Sequence, residues 1–375
     1  MFQTSSAPLF DGAASAKKPR TLAPATIQSI ATTVPPHTIS SATAETMLRD
    51  LAADWQVRPE RLISILRHTC IETRHTVYPP DAVLAAHTLG ERNRDYVRTS
   101  IELGEHAVCR ALENAALQAA QIDVMITVSC TGFMLPSVDA HLVNRLGMSP
   151  QLRRLPITEL GCAAGAVGLT RAWEQLQVYA GCRVLLLSVE LPSLTFQPKD
   201  RRLMQLVSSM LFSDGAAAVV ISGGEAGPGP TLLGSRSYTV PGTLGEMGYD
   251  LDEDGFHIIL SAAVPDLIRD TIRPQIEGLL EDHGYSMADL RWIAMHPAGA
   301  KVLQFVEQEL QLKPEQLAAS WTVMRQYGNM SSASVLFVLE EMMRTHAAEP
   351  GELGIIVAFG PGMSGEIVLA RWGGE

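Results

Sequence analysis

Three residues that lie far apart in the sequence have side chains suited to thioester chemistry. Cys162 lies in the run ELGCAAGA, His296 directly follows a buried strand pattern, and Asn329 lies in the run YGNMSS before a helical pattern. A cysteine thiolate is a nucleophile that forms covalent thioesters. A histidine and an amide can both donate hydrogen bonds to a developing oxyanion. Together the three residues predict an enzyme that transfers acyl groups through a cysteine.

Each residue alone also has a plainer interpretation. Cysteines are often buried in cores, a loop histidine is usually hydrogen-bonded, and asparagine favours helix starts. The start of a helix carries partial positive charge, so we expect it to lower the pKa of Cys162. A cysteine protease uses the same residue types, but the surroundings of Cys162 have no papain-like or caspase signature. The three residues are more specific as a set than singly.

The composition excludes several classes of protein. The chain has 375 residues, of which 46% are hydrophobic and 18% charged, which predicts a large buried core rather than a disordered chain. Its 29 basic and 40 acidic residues give a net charge of -11. This acidic excess argues against nucleic-acid binding. No apolar run is long enough for a membrane span or a signal peptide.

The five cysteines predict free thiols in a reducing compartment. Their number is odd, their spacing is wide, and no CxxC pair is present, which argues against a metal site or a disulfide framework. We therefore expect a cytoplasmic protein without bound metal.

Alternating strand and helix patterns predict an α/β fold with covered sheets. Residues 1–20 are expected to be a disordered tail. Beyond the tail, strands are predicted at residues 123–129, 183–189, 216–222, 290–295, 354–359 and 366–372. Long helices are predicted at residues 99–120 and 264–283, and another near residue 331.

The order of these elements predicts two similar halves, residues 21–230 and 231–375, separated by the run GGEAGPGP. Strand 123–129 corresponds to strand 290–295, and the helices after Cys162 and Asn329 occupy equivalent places. If the halves pack about a pseudo-twofold axis, Cys162, His296 and Asn329 meet at its centre.

At these residues the chain resembles the type III polyketide synthases, the chalcone and stilbene synthase family. The matching runs are ELGCAAGA, MHPAGAKVL, YGNMSSASVLFVLEEM, LFSDGAAAVV and VAFGPGMSGE. The resemblance covers residues 21–375, and the run CTGFMLPS is more similar to bacterial members than to plant ones.

The resemblance implies a thiolase-like, five-layered αβαβα fold and a homodimer. It implies acyl-CoA starters, malonyl-CoA as extender, and no cofactor beyond these coenzyme A thioesters. Cys162 would carry the growing chain, and His296 and Asn329 would stabilise the enolate formed by decarboxylation. Further residues match positions that line the family's cavity: the gatekeeper Phe212, with Cys130, Thr195, Phe256, Ser331, Gly360, Pro361 and Gly362.

The coenzyme A-binding region departs from the plant pattern. Arg61 matches a basic residue of the family, whereas Ser64 and His68 replace two others. Phosphate binding would then depend on Arg61 and Arg67, and an acyl carrier protein is an alternative donor of the starter. Both arginines could equally be ordinary surface charges.

Small or flexible residues near the pocket favour a fatty acyl starter and an alkylresorcinol or alkylpyrone product. A malonyl-primed synthase of a small phenol or naphthol is the second hypothesis. Two other classes stay open: a ketoacyl synthase that condenses once, and an acyl-binding protein without catalysis.

Overall fold

The computed structural model describes residues 23–85, 87–345 and 347–373, so the predicted tail of residues 1–20 lies outside the described residues. The described strands are, in chain order, β1 Ala25–Thr33, β2 His37–Ser40, β3 Thr73–Thr76, β4 Val124–Val128, β5 Arg153–Ile157, β6 Arg183–Glu190, β7 Gly215–Gly223, β8 Thr231–Thr239, β9 Met247–Leu251, β10 Phe256–Leu260, β11 Leu290–Met295, β12 Leu353–Gly360 and β13 Ser364–Arg371. The described α-helices are α1 Ser41–Trp55, α2 Pro59–His68, α3 Leu89–Asn114, α4 Val138–Arg145, α5 Ala164–Val178, α6 Leu203–Leu211, α7 Val264–Asp282, α8 Ala300–Leu310, α9 Ala318–Tyr327 and α10 Ser334–Thr345.

Nine strands form one sheet in the order β11-β12-β13-β8-β1-β7-β6-β4-β5. The two halves of the chain repeat the same arrangement. In the first half, β4 and β6 are parallel, while β7 is antiparallel to both β6 and β1. In the second half, β11 and β12 are parallel, while β13 is antiparallel to both β12 and β8. The halves join where β1 pairs with β8 over two residues.

Helices cover both faces of each half-sheet, which gives five layers. Helix α3 packs outside β7, β1 and β6, and α7 packs outside β8 and β13. Helices α5 and α10 form the central layer, because each contacts strands from both halves. Strands covered on both faces are buried along their length, and every residue of β7 and β12 is buried. The predicted five-layered αβαβα fold of two similar halves is confirmed.

The first predicted helix is displaced in the structure. The sequence predicted a helix over residues 99–120, but α3 begins ten residues earlier and ends at Asn114. Thr88 and Glu91 form a reciprocal cap in which each side chain accepts from the other residue's backbone N–H, at 3.2 and 2.9 Å. This cap begins the helix within a polar run that lacks an apolar periodicity.

Outside the layers, α1, α2 and α6 share a separate apolar cluster. The hairpin β9–β10 packs against α6. These elements enclose the space next to the starts of α5 and α10, the two helices that follow Cys162 and Asn329. In the described ranges, no helix has the length and apolar character that crossing a bilayer requires.

Candidate active site

Cys162 lies in a short 3₁₀ turn, Gly161–Ala163, that leads directly into the central helix α5. Gly161 has a φ of +49°, and a β-carbon there would come within 2.6 Å of the Pro361 ring. Glycine suits this position for two reasons: it adopts a positive φ without strain, and it has no β-carbon to clash with the Pro361 ring. The predicted loop of Gly360, Pro361 and Gly362 is thus packed against the cysteine turn.

The turn that begins α10 meets the cysteine turn at the centre of the molecule. A β-carbon on Gly165 would lie 2.1 Å from the backbone oxygen of Ser332, so the two helix starts touch. The Cys162 thiol donates to the Ser331 hydroxyl at 3.4 Å, and Cys130 Sγ lies 3.6 Å from the same oxygen. Ser331 has a φ of +48°. The predicted meeting of the two equivalent helix starts is therefore found.

Asn329 is held by its backbone against the segment that carries Phe212. Its N–H donates to Leu211 O and its carbonyl accepts from Ser213 N–H, both at 2.9 Å. The Asn329 side-chain oxygen accepts from Ser331 N–H at 2.8 Å. This contact fixes the amide, so Nδ2 is the atom left to donate. Its contact within the protein is long, 3.4 Å to Ala298 O.

His296 follows β11, and its backbone N–H donates to Val357 O at 2.8 Å. The ring is buried, with only 1% of the residue exposed, and neither ring nitrogen has a partner among the described residues. Burial lowers the pKa of His296 to about 3, so the free imidazole is neutral near pH 7. Unpartnered ring nitrogens in a buried site are available to a substrate.

The pKa of Cys162 differs from the prediction. We expected the helix start to lower it, but burial raises the pKa of the thiol to about 12. The Ser331 hydroxyl opposes this rise, and the negative charge of Glu190 adds to it. Desolvation outweighs the helix dipole because the cysteine is largely surrounded by protein, although it stays partly exposed to the cavity described below. The resting cysteine is therefore a thiol rather than a thiolate when His296 is neutral.

Cys162, His296, Asn329 and Phe212 line one open cavity with about 1820 Å³ of empty space, mouth included. Phe212 also lines a second, mostly apolar cavity with about 850 Å³ of empty space, mouth included. Thr195 lies on the wall of that second cavity. Phe256, on β10, packs edge-on against Tyr249 of the same wall, with ring centroids 5.6 Å apart. Phe212 thus stands between the cavity with the cysteine and an apolar compartment.

The two predicted phosphate-binding arginines lie elsewhere. Arg67 pairs with Glu45, with Nε and Oε1 2.9 Å apart, and lines a different cleft. Arg61 does not line either cavity in the described part of the chain. The cations on the wall of the cysteine cavity are Arg202 and Lys301, and the predicted replacement His68 is also there. Sequence reasoning missed Arg202 and Lys301 because only folding brings α6 and α8 together at this mouth.

Sequence reasoning also missed Glu190, a carboxylate with 0% exposure at the end of β6. It accepts from Cys130 N–H and the Thr131 hydroxyl at 3.0 Å each, and from the Ser332 hydroxyl. Burial raises its pKa, while these donors lower it. The sequence does contain a sign of this role, because a glutamate ends the otherwise apolar run RVLLLSVE. A buried carboxyl group needs hydrogen-bond partners, so a glutamate there predicts a polar network. Glu190 anchors the loop that carries Cys130.

Comparisons with known proteins show the family of the chain. The sequence model of the chalcone and stilbene synthases, N-terminal domain, matches residues 13–226, and that of the C-terminal domain matches residues 232–372. A 1,3,6,8-tetrahydroxynaphthalene synthase from Streptomyces peucetius subsp. caesius is 37% identical over 92% of this chain and 93% of that protein. A phloroglucinol synthase from Pseudomonas fluorescens is 33% identical, over 90% of this chain and 96% of that one.

A solved structure is similar over nearly the whole chain. The 1,3,6,8-tetrahydroxynaphthalene synthase of Streptomyces coelicolor A3(2), a bacterial type III polyketide synthase, superposes with a TM-score of 0.89 at 33% identity. The match covers 93% of this chain and 100% of that one. Matching family domains, relatives and fold lead to one conclusion: the chain belongs to the chalcone and stilbene synthase family and is a type III polyketide synthase.

Proposed function

We propose that this enzyme condenses malonyl-CoA repeatedly onto a fatty acyl-CoA starter and closes the product to an alkylresorcinol or an alkylpyrone. The observation that carries the proposal is the apolar cavity on the far side of Phe212. An aliphatic tail needs a compartment that removes it from water, and this one is next to the cysteine cavity. Its apolar lining comes from α1, α2, α6 and neighbouring segments: Ile39, Met47, Leu48, Leu51, Leu66, Val83, Leu84, Leu206, Met210 and Ile258.

The first chemical step loads the starter onto Cys162. The thiol proton moves to the neutral His296 as sulfur attacks the thioester carbonyl, and the two new opposite charges stabilise each other. The sulfur–carbon bond to Cys162 forms and the bond to coenzyme A breaks. The leaving thiolate then takes the proton back from His296.

The second step makes the carbon nucleophile. Malonyl-CoA loses carbon dioxide, and the electrons of the broken bond pass to the thioester oxygen as an enolate. His296 and Asn329 Nδ2 would each donate to that oxygen. The enolate carbon attacks the acyl group on Cys162, a carbon–carbon bond forms, and the sulfur leaves. The lengthened chain returns to Cys162, and ring closure ends the series.

A malonyl-primed synthase of a small phenol or naphthol is the second candidate. The relatives named as tetrahydroxynaphthalene and phloroglucinol synthases favour it. Such a product would fit the cysteine cavity without needing the apolar compartment. The two candidates therefore differ in whether the compartment is filled.

Mass spectrometry of reaction products tests both candidates. Purified enzyme is incubated with malonyl-CoA and starters from acetyl-CoA to palmitoyl-CoA. We expect products with two or more ketide units on a medium or long acyl chain. Cys162→Ala should abolish them, while Cys109→Ala, a change outside both cavities, should not. Products from malonyl-CoA alone would support the second candidate.

Two further outcomes would reject iterative condensation with acyl-CoA. A single-condensation ketoacyl product would place the activity with the ketoacyl synthases. If products appear only with starters on an acyl carrier protein, that protein is the donor.

We also propose that the enzyme works as a homodimer. Phe133 and Leu135, two residues apart in one loop, are 68% and 97% exposed, an unusual state for large apolar side chains so close in the chain. A second copy of the chain would cover them. The surface also lies close to the site, because Cys130 begins the same loop.

A further inference from the structure

The apolar cavity contains two polar atoms without partners. Arg74 Nη1 and Gln205 Oε1 are buried and have no hydrogen-bond partner among the described residues. Both side chains line the cavity, and the two residues are only 2% and 3% exposed. Buried polar atoms in proteins nearly always have partners. A donor and an acceptor left unpaired in one cavity therefore call for a ligand.

The other polar side chains of the cavity already have partners. Five hydroxyls on its wall each donate to a group inside the protein, so none of these five is left over as a donor. These are the hydroxyls of Thr76, Ser193, Thr195, Ser208 and Ser209, and the Tyr249 phenol on the same wall interacts with the Thr195 hydroxyl. The free hydrogen-bonding capacity is therefore concentrated at Arg74 and Gln205.

Arg74 also carries a charge that no described carboxylate compensates. Its Nε donates to Met210 O at 2.7 Å, and its Nη2 to the Thr69 hydroxyl at 3.3 Å. Both partners are neutral. Burial lowers the pKa of Arg74 to about 10, which still leaves it protonated at pH 7. A buried cation without an anion is unfavourable, so an anionic or strongly polar oxygen would be held firmly there.

We propose that Arg74 and Gln205 recognise an oxygen function on the acyl chain, so that the preferred starters are carboxyacyl- or hydroxyacyl-CoA thioesters. The inference rests on the proposed function, because it assumes that the acyl chain enters this cavity. A hydroxyl accepts from Arg74 and donates to Gln205 Oε1. A carboxylate accepts from Arg74, and the Gln205 amide can turn to donate its Nε2. Either group completes the pair, whereas a plain hydrocarbon tail leaves both atoms unpaired.

Matched starters test the proposal by kcat/KM. The set is a plain acyl-CoA, its ω-hydroxy form and its ω-carboxy form, at chain lengths of six, eight and ten carbons. We expect an oxygenated starter to be preferred about tenfold or more at one length, the effect of a hydrogen bond to a charged group. The ω-hydroxy and ω-carboxy forms distinguish the two sources of the oxygen.

Variants then assign the preference to residues. Gln205→Leu and Arg74→Met should each reduce the preference for the oxygenated over the plain starter about tenfold. Ser209→Ala is the matched control, because its hydroxyl lines the same cavity but already donates to Leu206 O. Thermal unfolding shows whether each variant is folded. If Arg74→Met does not fold, Gln205→Leu alone tests the proposal.

Binding without turnover separates this inference from the proposed function. Calorimetry compares decanoic acid, 10-hydroxydecanoic acid and sebacic acid on wild type and Gln205→Leu. Tighter binding of an oxygenated acid, lost in the variant, supports the inference even if no starter is elongated. Two results would overturn it: the same preference for an oxygenated acid in wild type and Gln205→Leu, or no preference in wild type. Either would mean that the two polar atoms hold only water.

Discussion

The contact between Ser331 and Cys162 gives a prediction whose size can be worked out. Burial raises the pKa of Cys162 to about 12, and the Ser331 hydroxyl, 3.4 Å from the sulfur, opposes the rise. Ser331→Ala removes that donor to the thiolate. A hydrogen bond to a charged group contributes about 1.5 kcal/mol, and one pKa unit corresponds to about 1.4 kcal/mol. The pKa of Cys162 should therefore rise by about one unit.

Alkylation by iodoacetamide measures this effect, because only the thiolate reacts. At any pH well below the pKa, one added unit lowers the thiolate fraction, and so the rate, by about tenfold. Peptide mass spectrometry must confirm that the label is on Cys162, since Cys130 Sγ lies 3.6 Å from the same hydroxyl. The rate is followed from pH 7 to pH 9 in wild type and variant.

Ser331→Gly is the matched variant. It removes the same hydroxyl but also relieves the left-handed backbone, whose φ is +48°. We expect the same slower alkylation, together with a free energy of unfolding about 1 kcal/mol higher than that of Ser331→Ala, because the folded glycine variant is less strained. An unchanged or faster alkylation rate in Ser331→Ala would refute the assignment of Ser331 as the group that stabilises the thiolate.

Three more predictions follow from the structure. Asn329→Ala should slow malonyl-CoA decarboxylation by about 10²–10³, as for loss of an oxyanion donor, and carbon dioxide release measures it; a change under threefold would contradict the role. Burial raises the pKa of Asp214 from 3.8 to about 7, so the folded chain binds this proton more tightly than the unfolded chain. The free energy of unfolding of the wild type should therefore fall as the pH rises from 4 to 8, by up to about 4 kcal/mol. Asp214→Asn should remove this contribution to the pH dependence, and denaturant unfolding at each pH measures it. If the proposed homodimer forms through the surface of Phe133 and Leu135, Leu135→Asp should turn it into a monomer in sedimentation, whereas the same change at exposed Leu244 should not.

Much of the fold could be predicted because the strands of the core are buried on both faces. Runs such as Ile355–Val357 have no polar alternation, and their order along the chain repeats in the two halves. The start of α3 could not be found by periodicity, because its first turns are polar and a local cap begins it. Edge elements such as β9 and β10 also lack a strong pattern, since their residues are only partly buried.

The chemistry of the site could be predicted from the sequence only in part. Cys162, His296 and Asn329 have distinctive local contexts, and the structure brings all three to one cavity. The contributions of Arg74 and Gln205 depend on which atoms stay unpaired after folding, and no sequence pattern encodes that. The pKa of Cys162 was mispredicted for a related reason: a helix start is visible in the sequence, but the desolvation that outweighs it is not.

The backbone pairing of Asn329 with the Phe212 segment has a consequence for the evolution of new products. A single β-bridge between Phe212 and Asn329 positions both the aromatic side chain between the two cavities and the amide that we propose donates to the reacting oxygen. Exchanging the Phe212 side chain should leave this pairing in place, because only backbone atoms form it. Insertions or prolines between Leu211 and Ser213 would move Asn329 as well, so diversification here should proceed by side-chain replacement at constant loop length.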